Sequence, residues 1–246
     1  MSAIKIAVVG AKGRMGQAII QAVLNNGDIV HSTLDAGDDL QSGLKGADVA
    51  IDFSNWQATL PLVESARANS VPLVIGTTGH TQELRQQIEQ KLTGHYAVWA
   101  GNFSVGVNLL FYLTRIASDI LGSEYGAELV EMHHRHKQDA PSGTAERLLE
   151  ILLESRKVGR DQLRHGRQGI TGARTVDEIG VHALRGGSVV GEHTVVFAGD
   201  GETIRLEHRA EDRSIFARGA VRAAHWLKSQ KTPGLFRMED VLGLHR

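Results

Sequence analysis

Three of the twelve histidines stand within four positions, His133, His134 and His136, and Lys137 follows them in EMHHRHKQDAPSGTA (131–145). An imidazole gives or takes a proton near neutrality. Pro141 then precedes Ser142, Gly143 and Thr144, which read as the start of a helix, where backbone N–H groups and hydroxyls hold a carboxylate. Three readings compete: a solvated basic loop, a metal site, and an anion pocket with a proton donor. The metal reading is poor, because helical zinc pairs place histidines at i and i+4 with a further ligand, and adjacent cations oppose a divalent ion. In the third reading the cations hold an anionic substrate, and one group supplies the proton that balances a hydride arriving at another atom.

A second constellation lies at the other end of the sequence. In VVGAKGRMGQAI, Gly10, Gly13 and Gly16 sit where an apolar run hands over to a helical pattern. Glycine there allows a tight turn and close approach of a pyrophosphate to a helix N-terminus. Asp35 closes the next β-rich run, where an acid binds an adenosine ribose hydroxyl. That carboxylate would repel the 2′-phosphate of NADP, and Lys12 and Arg14 would offset the repulsion, so both NADH and NADPH are admitted. The alternative is that both cations are solvated loop charges. IGTTG (75–79) and AGNFS (100–104) end two further runs, and their small, polar residues suit a nicotinamide lying across strand ends. Each is also an ordinary strand-ending turn.

Elements must position these groups. Strands are expected at 4–9, 29–35, 47–53, 72–78 and 96–102, with helices from about Arg14 to Asn26, at 56–69 and at 81–92. That alternation argues for a parallel sheet with helices on both faces. After residue 104 the pattern changes to a helix (106–121), a strand (127–133), a helix (144–157) and a Gly-rich polar stretch (164–174). Strands follow at 179–185, 192–199 and 203–210, with the turn signals GG and GDGE suggesting antiparallel hairpins. A helix at 216–230 precedes PGLFRMEDVLGL. The expected fold is α/β, a Rossmann-like doubly wound parallel sheet, with a second α+β domain on a mixed, largely antiparallel sheet.

The chain's 246 residues suffice for one large or two modest domains. Its formal net charge of −1 gives no global pull toward nucleic acid or membrane. With no cysteine, disulfides, thiolate metal sites and cysteine nucleophiles are excluded. The opening MSAIKIAVVGAKG is too short an apolar run for a membrane span and has no signal-cleavage pattern, so the default location is cytoplasmic.

ELVEMHHRHKQDAPSGTA closely resembles the signature of the 4-hydroxy-tetrahydrodipicolinate reductase (dihydrodipicolinate reductase) family. VVGAKGRMG, IDFS, VIGTTG, NFSVGVN, VVGEHTVVF and FARGAVRAAHWL resemble that family's other segments, in its order. The resemblance implies NADH- or NADPH-dependent reduction of a cyclic imine dicarboxylate, 4-hydroxy-tetrahydrodipicolinate, to tetrahydrodipicolinate in diaminopimelate and lysine biosynthesis. It implies His133 as proton donor or acceptor and Lys137 as a second proton donor. His134, Gly143 and Thr144, beside the Ser142 already noted, would hold the substrate carboxylates. Cofactor contacts would come from Gly10, Ala11, Lys12, Gly13, Arg14, Met15, Asp35, Gly76, Thr77, Thr78, Ala100, Gly101, Asn102 and Phe103. Members are typically homotetramers joined through the second domain's sheet, and their final helix returns to the first domain. The expected domains are therefore 1–104 with 216–246, and 105–215. Two features depart from the family pattern. Ala36 stands where some members carry an arginine that serves NADPH, and AGDDLQSGLKG is short.

Overall fold

The computed structural model describes residues 2–244. The chain runs β1 (Lys5–Val9), α1 (Arg14–Asn25), β2 (Ile29–Leu34), α2 (Leu40–Leu44), β3 (Val49–Asp52), α3 (Trp56–Asn69), β4 (Leu73–Ile75), α4 (Gln82–Leu92) and β5 (Tyr96–Trp99). It continues through α5 (Val105–Leu121), β6 (Gly126–His133), α6 (Gly143–Arg156), β7 (Leu163–His165), β8 (Ile179–Arg185), β9 (Gly191–Gly199) and β10 (Glu202–Ala210). Then come α7 (Ser214–Lys228), β11 (Gly234–Phe236) and α8 (Met238–Leu242). Two compact units result, Met1–Val105 with Arg213–Arg246, and Gly106–Asp212.

The first unit is built on a parallel sheet of order β11-β5-β4-β3-β1-β2. Successive strand residues face opposite sides. Ile6 and Val8 of β1 pack with Ile19 and Val23 of α1 and Ala217, Ala220 and Ala224 of α7. Ala7 and Val9 face Leu62, Val63 and Ala66 of α3 and Ile88 and Leu92 of α4. Because helices cover both faces, these strands read as unbroken apolar runs. Helix α7 comes close to the backbone: a Cβ on Gly219 would lie 1.7 Å from the Phe103 carbonyl oxygen. The strand order reverses beside β1, whose neighbours are β2 and β3, and such a reversal opens a crevice at the carboxyl ends of the strands.

The second unit is a mixed sheet of order β10-β9-β6-β8-β7. Along β6, Ala127, Leu129, Glu131 and His133 are buried and alternate with half-buried residues. The inner face packs Leu129, Val181, Val195 and Phe197 against Val107, Leu110 and Phe111 of α5 and Leu148, Leu149 and Leu152 of α6. Val130, Met132, Leu184 and Val196 point the other way, away from both helices. Helix α5 with its following turn, Val105–Glu124, is long and apolar enough to cross a bilayer, at mean hydropathy 1.2. Three of its apolar residues are buried in this inner core and Ala117 and Leu121 pack against it, and Arg115 pairs with Glu154 of α6 at 2.7 Å.

One of the two expected hairpins is absent. β9 and β10 pair antiparallel across GDGE, but β8 and β9 do not pair, because β6 lies between them, parallel to β8 and antiparallel to β9. After β8 the chain crosses the end of β6, where Gly186 N–H donates to His133 O (2.9 Å) and Arg135 N–H to Gly187 O (3.3 Å). Turn residues bend the chain but do not say which strand fills the space between the arms. The Gly-rich stretch holds the short strand β7 and a loop clasped by charge. Arg167 bridges Glu128 and Glu178 at 2.7 and 2.6 Å, and His182 reaches Glu128 at 2.9 Å. Short elements that periodicity does not announce, α2, β11 and α8, also form.

Candidate functional site

In the first unit, the loop after β1 is shaped by what glycine lacks. Gly10 has φ +79°, and a Cβ on it would lie 2.7 Å from Phe53 O, at the end of β3. A Cβ on Gly16 would lie 2.1 Å from Gly10 O. Only glycine holds this turn with α1 so close behind it. The N-cap of α1 is Gly13, which makes no side-chain cap, and the first turn carries no acid. Its N–H groups and the positive end of the helix dipole remain for an anion. This cradle fits a dinucleotide pyrophosphate.

Around it, Ala11 is buried, Met15 half-buried, and Lys12 and Arg14 exposed. Asp35 at the end of β2 accepts the Lys12 N–H at 3.1 Å, tying the acid to the loop. Past β4, a Cβ on Gly76 would fall 2.2 Å from the Phe53 ring. Thr77 is buried and its hydroxyl accepts the Ser54 N–H at 3.0 Å, while Thr78 is exposed. Past β5, Ala100 N–H donates to Ile75 O (3.1 Å), Gly101 is exposed, and Asn102 Oδ1 accepts the Ser104 N–H (2.8 Å). These segments share the carboxyl edge of one parallel sheet. The Phe103 side chain does not line that edge: it is buried in the core, its ring 5.6 Å from Phe53. Sequence reading passed over Asp52, also fully buried. Burial pushes its carboxyl up, while the Ser54 N–H (3.0 Å) and hydroxyl (2.5 Å) donate to it.

In the second unit, the end of β6 and the start of α6 meet on the Glu131 carboxylate. Glu131 and His133 are two residues apart on a strand, so they share its inner face. The His133 Nδ1 lies 2.5 Å from Glu131 Oε2. Arg185, at the end of the neighbouring β8, donates to both Glu131 oxygens at 2.9 Å, and the Ser142 N–H reaches Oε1 at 3.3 Å. Burial opposes the charge on Glu131, but the bonds from His133 and Arg185 outweigh it and hold the carboxyl at about 2. His193 of β9 stands edge-on to His133 at 5.1 Å. Burial, then the neighbouring His133, brings His193 down to about 3, so it is neutral at pH 7.

Ser142 is the N-cap of α6. Its hydroxyl accepts the Ala145 N–H at 3.2 Å and lies 3.0 Å from His193 Nε2, and the residue is only 2% exposed. The hydroxyl is thus turned inward, and Gly143 (exposed) and Thr144 (half-buried) form the outward start of the helix. Lys137 is held 2.9 Å from the Asp139 carboxylate, and the rings of His134 and His136 are 6.3 Å apart. The arrangement can bind a carboxylate at a helix N-terminus and exchange a proton beside it. Glu131, Arg185 and His193 carry it, yet sequence reading assigned none of them. The Glu131–His133 spacing was a usable signal; Arg185 and His193 had no local one.

Comparison with known proteins covers both units of the chain. A family model described as dihydrodipicolinate reductase, N-terminus, matches residues 4–103, and one described as dihydrodipicolinate reductase, C-terminus, matches residues 106–242. A 4-hydroxy-tetrahydrodipicolinate reductase of Akkermansia muciniphila is 55% identical over 245 residues, covering 98% of this chain and 98% of its own length. One of Anaeromyxobacter dehalogenans is 43% identical over 267 residues, again covering 98% of each. The solved structure of dipicolinate-bound dihydrodipicolinate reductase from Paenisporosarcina sp. TG-14 shares the fold, with TM-score 0.77 at 24% identity over 96% of this chain and 98% of that one. Matched end to end in sequence and in fold, the chain belongs to the dihydrodipicolinate reductase family.

Proposed function

We propose that this chain reduces 4-hydroxy-tetrahydrodipicolinate to tetrahydrodipicolinate with NADH or NADPH, a step of diaminopimelate and lysine biosynthesis, and works in the cytoplasm as a homotetramer. The observation that carries the reading is the buried junction of His133, Glu131 and the start of α6, in a chain 55% identical to a named reductase of that substrate. The first unit, with the α1 N-terminus behind Gly10–Met15, is the dinucleotide-binding domain. Asp35 serves the ribose, and Gly76–Thr78 and the backbone of Ala100–Phe103 serve the nicotinamide end. Held there, the reduced nicotinamide would supply a hydride.

Overall the reaction takes up a proton with the hydride and releases water. In the second unit, the N–H groups of Gly143 and Thr144 hold one substrate carboxylate. His134 and Lys137 hold negative charge on the other side. His133 gives its proton from Nε2, since Nδ1 is engaged by Glu131. Lys137 is the second proton donor, held 2.9 Å from the Asp139 carboxylate until substrate competes for it.

The test is oxidation of NADH and of NADPH by the purified chain, with substrate formed in place by condensing pyruvate with aspartate semialdehyde. Substrate-dependent oxidation of either nucleotide is the expected result. Nucleotide binding without oxidation overturns the reaction assignment, and no binding at all overturns the domain assignment with it.

A further inference from the structure

We infer that Glu131 is the positioning residue for the proton transfer assigned to His133, an inference that rests on that assignment. Four hydrogens converge on this carboxylate: one from His133, two from Arg185 and one from the Ser142 backbone. Glu131 is 1% exposed, so its oxygens are withdrawn from bulk solvent. An ionised carboxylate only accepts, and therefore the His133 Nδ1 carries a hydrogen in every protonation state. Nε2 is then the ring atom that gains and loses the proton, as in other carboxylate-oriented histidines.

The far side of the ring supports this. A Cβ on Gly191, the first residue of β9, would lie 3.0 Å from His133 Nε2 and 3.4 Å from Cδ2. Glycine there leaves Nε2 uncrowded, and His193 packs edge-on beside the ring. The same carboxylate also accepts from Ser142, the cap of α6. One buried group thus sets both the orientation of the proton donor and the place of the helix start that receives the substrate's carboxylate.

Glutamine at this position makes the consequence sharp. Its amide has one acceptor oxygen, and its NH₂ must face some partner on the other side. Neither Arg185 nor the Ser142 N–H can accept, whereas the His133 Nδ1 can if its hydrogen moves to Nε2. Glu131→Gln therefore locks neutral His133 in the Nε2–H form, and the imidazolium can no longer give up its Nε2 proton and leave a matched ring.

The experiment measures kcat, KM and the ¹⁵N–¹H spectrum of the histidine rings for the native chain and for Glu131→Gln, Gly191→Ala and His133→Ala. Native neutral His133 is expected as the Nδ1–H tautomer; finding it as Nε2–H overturns the inference without any substitution. In Glu131→Gln, the tautomer switches and kcat falls about 10²- to 10⁴-fold, with KM little changed. Native kcat or an unswitched ring overturns the positioning role. Gly191→Ala leaves the carboxylate cluster intact and lowers kcat by crowding Nε2; undiminished kcat overturns Nε2 as the atom that transfers the proton. His133→Ala separates the two levels. If it retains turnover the proton-transfer assignment fails, and if it alone loses turnover only the role of Glu131 fails.

Discussion

Burial would make Glu131 and Glu128 weak acids, yet both are held at about 2, Glu131 by hydrogen bonds from His133 and Arg185, and Glu128 by Arg167 and His182. A carboxyl whose folded pKa is depressed takes up protons more readily once unfolded. Its stabilisation is therefore complete above its ordinary 4.5 and is lost as pH falls toward about 2. His193 adds to the same trend from a higher pH: its unfolded form gains a proton below 6.5, while its folded form resists until about 3. Thermal unfolding followed from pH 7 to pH 2 should show Tm beginning to fall below 6.5 and steepening below 4.5, and Glu128→Gln should flatten the lower part. His133→Ala should cut turnover about 10²- to 10⁴-fold while leaving nucleotide affinity unchanged in a binding titration. Lys12 and Arg14 are exposed at the mouth of the glycine loop. Replacing both with glutamine should raise KM for NADPH more than for NADH, and equal change would assign them to bulk solvent. At this scale, the histidines, the lysine and the glycines were legible because their chemistry is local. Glu131 stood in the same quoted run, but its meaning depends on Arg185, which reaches it from a strand more than fifty residues on.

Elements carry their own constraints. A methyl group at Gly16 would meet the Gly10 carbonyl at 2.1 Å, a backbone atom that cannot rotate away. Gly16→Ala should shift α1 off the loop, costing about 1–3 kcal/mol in denaturant unfolding and weakening both nucleotides together. Ser142→Ala removes the cap of α6. The expected loss is about 0.5–2 kcal/mol, with a rise in substrate KM and no change in nucleotide affinity. The strands of the first unit were readable as apolar runs, since a parallel sheet covered on both faces writes itself that way. The second sheet was harder. Its GG turn looked like a hairpin, and the insertion of β6 between β8 and β9 is set by pairings no turn encodes.

For the whole molecule, the mixed sheet leaves Val130, Met132, Val196 and Leu184 on the face turned from its helices, with Leu184 44% exposed. A second copy's sheet is the proposed cover. A charge there would have to be buried unpaired, so Val196→Glu should lower the mass measured by light scattering from tetramer to a smaller species. Unchanged mass would place the contact elsewhere. The return of α7 to the first unit could not be read from periodicity; it came from resemblance alone, because an amphipathic helix does not name the sheet it covers. That return has a consequence for synthesis. Ile6, Val8, Ile19 and Val23 wait for Ala217, Ala220 and Ala224, and β5 waits for β11, with residues 106–212 translated in between. The unit begun first on the ribosome is therefore finished second, holding an open apolar face for the interval, and it is in that interval that a nascent chain would need a chaperone.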